Sequence, residues 1–220
     1  MDAGTVSFTL LDLFEMGGIF MWPLLFFSIA TVFISLERAI YFIFHNLRID
    51  DMTNVVSQKL VGNDSAGADE YLSARVKRRM GARILLTLVK RASPAAGHAF
   101  SEHRLECAAE AEAASCINSL ENGLNFLTAL GSLSPLTGFL GTVSGMISAF
   151  KSIAEATEVN AQIVANGIYE ALITTVFGLI IAIIAMISHS IFTHITDKFT
   201  QDVEKNCSRL IAEIAETHEN

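Results

Sequence analysis

One carboxylate stands at the mouth of a long uncharged run. Glu170 directly precedes Ala171–Thr196, 26 residues without Asp, Glu, Lys or Arg. A carboxylate in or beside hydrocarbon is costly to keep charged, which marks a functional group and suits it to proton exchange. Thr174 lies one helical turn further on, on the same face, and Thr175 follows it. Thr142, in a second uncharged run, supplies another hydroxyl. Such hydroxyls can hand on a proton or hold water, although threonines in spanning helices also simply bond the preceding turn. The plainer reading of Glu170 is an interfacial glutamate that reaches the headgroups from a helix end. The apolar runs hold no second buried acid or base, so the chain carries half a proton site. His189 and His194 lie at the end of the third run, a place that fits interfacial anchoring better than a share in proton exchange. No nucleophile–base pair, phosphate loop or metal-ligand spacing is visible, so no catalytic residue, metal or cofactor is expected.

The elements that must hold these groups are apolar helices. The 220 residues are 51% hydrophobic and 17% charged, with a mean hydropathy of +0.45. Soluble domains carry about 25% charge. Three runs are long enough to cross a bilayer, which takes about 20 residues. They are Ile19–Leu36 (18 uncharged residues, resuming after Glu37 and Arg38 to Phe44), Asn122–Phe150 (29 residues) and Ala171–Thr196. The first is no signal peptide, because the segment before it has acids and no basic residue. A net charge of −8 argues against nucleic-acid binding.

Ten of the 15 Lys and Arg fall between residues 45 and 121, one follows the second run, three follow the third, and residues 1–18 hold none. The positive-inside rule then places the N-terminus outside and the C-terminus in the cytoplasm. The expected order is a periplasmic segment 1–18 with an interfacial helix around Phe8–Phe14, a first span 19–44, and a cytoplasmic helical domain 45–121. A second span 122–150, a short periplasmic connection 151–165, a third span 166–196 and an amphipathic cytoplasmic tail 197–220 complete it. Ser93-Pro94 reads as a helix start. With Gly97 and Gly123 as minor interruptions, one helix is expected from about Pro94 to Phe150, kinked at Pro135. In the tail, Phe199, Val203, Leu210, Ile211 and Ile214 form an apolar face suited to bundle packing. Glu37 and Arg38 are expected to snorkel to the interface.

Small residues form two stripes. In the second run these are Thr128, Gly131, Ser134, Gly138, Gly141, Gly145 and Ser148, with Thr142 beside them. In the third they are Gly167, Ala171, Thr175, Gly178, Ala182 and Ala185. Lipid gives helices no hydrophobic push towards each other, so small residues that let backbones approach do that work. The stripes either pack the two helices together or also line a wall around another helix.

The stretch Ser134-Pro-Leu-Thr-Gly-Phe-Leu-Gly-Thr-Val-Ser-Gly-Met146 resembles the second-span motif of the ExbB/TolQ/MotA family. Ala165-Asn-Gly-Ile-Tyr-Glu-Ala-Leu-Ile-Thr-Thr-Val-Phe-Gly-Leu179 resembles its third-span motif, and Leu36-Glu-Arg-Ala39 is similar to the end of its first span. The three spans fit the ExbB/TolQ branch. The resemblance implies an all-α integral membrane protein, with long cytoplasmic helical extensions, that assembles as a homo-oligomeric ring, a pentamer, in the inner membrane. It implies a ring around an ExbD/TolR-like single-span partner whose helix carries an Asp, the missing carboxylate. Thr142, Glu170 and Thr175 match the family's polar residues by position and would face that partner. Proton flow down the gradient would drive work on a TonB- or TolA-like protein. A non-conducting scaffold that positions the single-span partner is the alternative. Ser144, Asn166 and Ile184 depart from a common Trp, Pro and Pro, which bears on helix bend and partner choice.

Overall fold

In hydrocarbon a backbone can satisfy its polar groups only within a helix or a closed barrel, and the long apolar runs here form helices. The computed structural model describes residues 14, 17–62, 64–92, 101–155 and 161–219. Among these residues there are seven helices and no strand. They are α1 (Met21–Phe44), α2 (Asp50–Val61), α3 (Ser65–Ser73), α4 (Met80–Ala92), α5 (Glu102–Glu121), α6 (Leu124–Glu155) and α7 (Ala161–Glu219). Three helical stretches, in α1, in Glu102–Glu155 and in α7, are long and apolar enough to cross a membrane.

The chain divides into two compact units. The first holds residues up to Leu36 and Gly123–Ser190. In it α6 and α7 run antiparallel, with their small residues in contact. Hypothetical Cβ atoms on Gly131, Gly138, Gly145 and Gly178 would meet Met186, Thr174, Ala171 and Ser134 respectively. Met21 and Leu24 of α1 are buried with Ile173 and Ile181 of α7, and Phe14, Phe27 and Phe177 close the edges of this cluster. Large apolar side chains such as Phe26, Phe33, Phe139 and Ile183 remain exposed, as on a surface solvated by lipid.

The second unit holds Glu37–Asn122 and Ile191–Asn220. Its core gathers Ile49, Met52, Leu72, Leu85, Leu88 and Leu120 with others. The apolar residues of the tail, Phe199, Val203, Leu210, Ile211 and Ile214, are buried in the same core. Local signals set the helix ends. Asp50 and Asp51 sit in the first turn of α2, where carboxylates suit the positive helix end. Asp64 caps α3 by accepting the Gly67 N–H at 2.9 Å. Lys59 at 3.1 Å, chiefly, and then that N–H hold the Asp64 carboxyl below the usual carboxylate range.

Two expectations need correction. The helix expected from Pro94 to Phe150 is broken, since α5 ends at Glu121 and α6 begins at Leu124. Gly123 adopts φ +88°, a left-handed conformation that only glycine takes without strain, so here it terminates a helix. The described start of α5 follows Ser101, whereas Ser93-Pro94 lies outside the described residues. So does the proposed interfacial helix, apart from Phe14. Secondly, Arg38 does not snorkel. It is 8% exposed, its Nε bonds Glu37 at 2.7 Å, and Nη1 donates to the Ser119 carbonyl at 3.3 Å. Carbonyls in the last turn of a helix lack intrahelical partners, and Arg38 supplies one at the end of α5.

Candidate functional site

The α6–α7 seam sets the site because it brings the two backbones together. A Cβ on Gly138 would lie 2.8 Å from the Thr174 carbonyl oxygen, and one on Gly141 would lie 2.6 Å from Thr174 Oγ1. A Cβ on Gly178 would lie 2.6 Å from the Ser134 carbonyl oxygen. Gly131, Ser134, Gly138, Gly141, Gly145, Gly178 and Ala182 are all buried. Ser148 and Thr128 are not on this line, because both are exposed. Ala149 takes the place expected for Ser148 and closes on Gly167. A 3.6-residue period drifts off a strict spacing of three and four, so the ends of a long stripe rotate out of the seam. Both stripes therefore face each other within one chain. Pro135 is half-buried inside α6, which continues through it, and its ring removes the bond to the Gly131 carbonyl.

At the middle of the seam three hydroxyls and two carbonyls converge. Thr142 Oγ1 is hydrogen-bonded to Thr175 Oγ1 across the helix pair. Thr142 Oγ1 also reaches the Gly138 carbonyl at 3.2 Å and the Ala171 carbonyl at 3.1 Å. Thr175 Oγ1 reaches the Gly138 carbonyl at 3.2 Å. Thr174 is buried and donates back to the Ala171 carbonyl at 2.8 Å, with the Gly138 carbonyl at 3.3 Å. Each hydroxyl has a single proton. Either Thr142 donates to Thr175, which passes its own proton to Gly138, or Thr175 donates to Thr142, which passes its own to a carbonyl. The pair thus has two complete hydrogen-bonded arrangements, related by turning hydroxyls without moving a heavy atom. Thr174, committed to its own preceding turn, keeps the plainer role.

Glu170 is half-buried one turn before Thr174. Among the described residues no hydrogen bond joins it to the hydroxyl pair and no cation forms an ion pair with it. Its carboxylate rests instead against Gly18, where any Cβ would collide with Glu170 Oε1. Gly18 has φ +66°, so the close approach and the backbone both call for glycine. The sequence reading missed this residue. The Gly17-Gly18 pair just ahead of the first apolar run is a turn signal that could have drawn attention to it. Among the described residues, no group of three or more His, Cys, Asp or Glu lies together in a way that could hold a metal.

Three apolar helical stretches, an interlocked pair of small-residue stripes and a hydroxyl pair inside that seam define a polytopic helical membrane protein with a polar site among its spans. The chain matches the MotA/TolQ/ExbB proton channel family over residues 74–205, and it belongs to that family. It is similar to the putative biopolymer transport protein ExbB-like 3 of Synechocystis, 35% identical over 182 residues, or 80% of this chain and 81% of that protein. It is similar to the biopolymer transport protein exbB1 of Vibrio cholerae, 30% identical over 77% of this chain and 72% of that protein. With the Tol-Pal system protein TolQ of Haemophilus influenzae it shares 45% identity over 74 residues, 34% of this chain and 32% of that one.

Proposed function

We propose that this chain is the ring-forming subunit, in a pentamer, of an inner-membrane motor driven by the proton gradient. Its N-terminus is periplasmic and its C-terminus cytoplasmic. The carrying observation is the Thr142–Thr175 hydroxyl pair bridging α6 and α7. A donor on one side of the pair can load it while an acceptor on the other side unloads it. Glu170, one turn away, takes up and releases the proton at one end. An Asp on an ExbD/TolR-like single-span partner supplies the second carboxylate, since Glu37, the other acid among the described residues of the spans, is paired with Arg38. Repeated transfer between the two helices drives work on a TonB- or TolA-like protein. The gradient is the energy source and no cofactor is needed.

The test is proton flux into liposomes holding this chain with its single-span partner. Glu170→Gln removes the exchangeable proton at nearly constant shape, and Thr175→Val removes one hydroxyl. Flux should require the partner, fall about a hundredfold or more in Glu170→Gln, the lower end of what a positioned proton-transfer group contributes, and fall clearly in Thr175→Val. Equal flux in all three proteins would sink the reading. Glu170 would then be an interfacial residue, and the chain a scaffold that positions its partner.

A further inference from the structure

The end of α1 carries a second feature, separate from the hydroxyl pair. Beyond Phe44 a groove of ≈ 390 Å³ opens between residues 42–48 and residues 195–202 of α7. Its floor is apolar, with Phe42, Ile195 and Phe199. Its rim carries His45, Arg48 and Lys198. Towards the membrane run the neighbouring surface is greasy, since Ile43 and Phe44 are 79% and 74% exposed. The groove therefore begins where a lipid-facing surface gives way to cations.

These cations are not committed to protein carboxylates. Lys59, Arg83, Lys90, Lys151 and Arg209 each have an acidic partner within 4.0 Å. Among the described residues Arg48 and Lys198 have none, nor do Lys77, Arg78 and Arg79. Those three lie in the turn between α3 and α4, and that turn docks beside the groove, with the Arg78 carbonyl accepting the Asn46 N–H at 3.3 Å. Unpaired positive charge thus gathers around the point where the chain leaves α1. The groove's acid is Asp202. Nearby Asp50 accepts the Asn206 amide at 2.7 Å. His45 Nδ1 donates to the Tyr41 carbonyl at 3.1 Å, which fixes the ring at the groove wall.

We propose that this groove binds one anionic phospholipid, its phosphate held by Arg48 and Lys198 and the start of an acyl chain lying on the floor formed by Phe42, Ile195 and Phe199. Basic pockets between spans at the cytoplasmic interface recognise anionic headgroups by charge, while the apolar wall adds chain contact that a soluble anion cannot use. Asp202 disfavours the phosphate on its own side and so points it towards the two cations. The proposal needs only that α1 and α7 cross the membrane; it is independent of any proton path.

The experiment is native mass spectrometry of the full chain in detergent, titrated with palmitoyl-oleoyl phosphatidylglycerol. Phosphatidylcholine of the same chains and glycerol 3-phosphate are the two comparison probes. The proteins are wild type, the double variant Arg48→Gln/Lys198→Gln, and Lys205→Gln as a control at an exposed cation two turns beyond Lys198 and outside the groove lining. Wild type and Lys205→Gln should hold phosphatidylglycerol in preference to phosphatidylcholine and should not retain glycerol phosphate. The double variant should lose about thirtyfold in phosphatidylglycerol affinity, since one juxtamembrane cation contributes about fivefold. If the double variant is not helical, the two single variants are read instead, each for about a fivefold loss. Equal phosphatidylglycerol binding by wild type and variants would reduce these cations to a topology signal. Equal binding of phosphatidylcholine would remove charge recognition, and glycerol phosphate binding as tight as the lipid's would make this a soluble-anion site. Any of these three results overturns the proposal.

Discussion

At the residue scale the hydroxyl pair and the carboxylate depend on different kinds of support. Thr142 and Thr175 are held by carbonyls of a close-packed seam, whereas Glu170 is held by what Gly18 lacks. Gly18→Ala should push the carboxylate aside and also place alanine at φ +66°, a cost of about 1–2 kcal/mol. Expected is a fall in partner-dependent proton flux towards that of Glu170→Gln, with only a few degrees lost in thermal unfolding of the detergent-solubilised chain. Undiminished flux would show that the contact does not position Glu170. The candidates Glu170, Thr142, Thr174 and Thr175 were legible because an acid and hydroxyls inside apolar runs stand out by composition alone. Their division of labour was not. Whether a threonine bonds its own turn, as Thr174 does, or reaches across, as Thr142 does, depends on helix rotation, which a spacing pattern fixes only to within a residue. The contact of Gly18 with Glu170 was invisible for a related reason, since the two lie far apart in sequence.

At the element scale the seam makes glycines unequal. A Cβ at Gly138 meets backbone, the Thr174 carbonyl oxygen at 2.8 Å, and backbone cannot step aside without parting the helices. A Cβ at Gly131 meets Met186 Sδ at 2.8 Å, the flexible end of a long side chain that can turn away. Gly138→Ala should therefore destabilise the chain by about 1–3 kcal/mol, and Gly131→Ala by less than about 1 kcal/mol. Thermal unfolding of the two variants side by side reads the difference, and equal shifts would contradict the seam register. The positions of the three apolar helices followed from run length and missing charge. The break between α5 and α6 did not, because a glycine inside a helical pattern reads the same whether tolerated or used as a stop.

At the scale of the whole molecule the second unit can be probed through its thiols. Cys107 is exposed, whereas Cys116 and Cys207 are buried. Burial pushes the Cys207 thiol up to about 11 from 9.0, and burial, then the Glu112 charge, raises that of Cys116. Only a thiolate reacts fast with maleimide. One thiol per folded chain should label quickly at pH 8, and all three after unfolding; two fast thiols in the folded chain would mean that the core is loose. A raised thiol pKa favours the protonated, folded form. The associated stability is present below pH 9 and is lost as pH rises through about 11, a change of about 2–3 kcal/mol. The closed seam has a consequence for biogenesis. Both small-residue stripes are used up within one polypeptide, so the α6–α7 hairpin needs no second copy in order to form. As the spans leave the insertion machinery one after another, the pair can lock before any sister chain arrives. In the proposed ring, finished protomers would then meet through their outer greasy faces. Cysteines placed at Gly145 and Ala171, whose Cβ atoms would sit 3.1 Å apart and need to part by about half an ångström to reach disulfide spacing, should crosslink within single chains at any dilution. Crosslinking that fades on dilution would mean that folding waits for company.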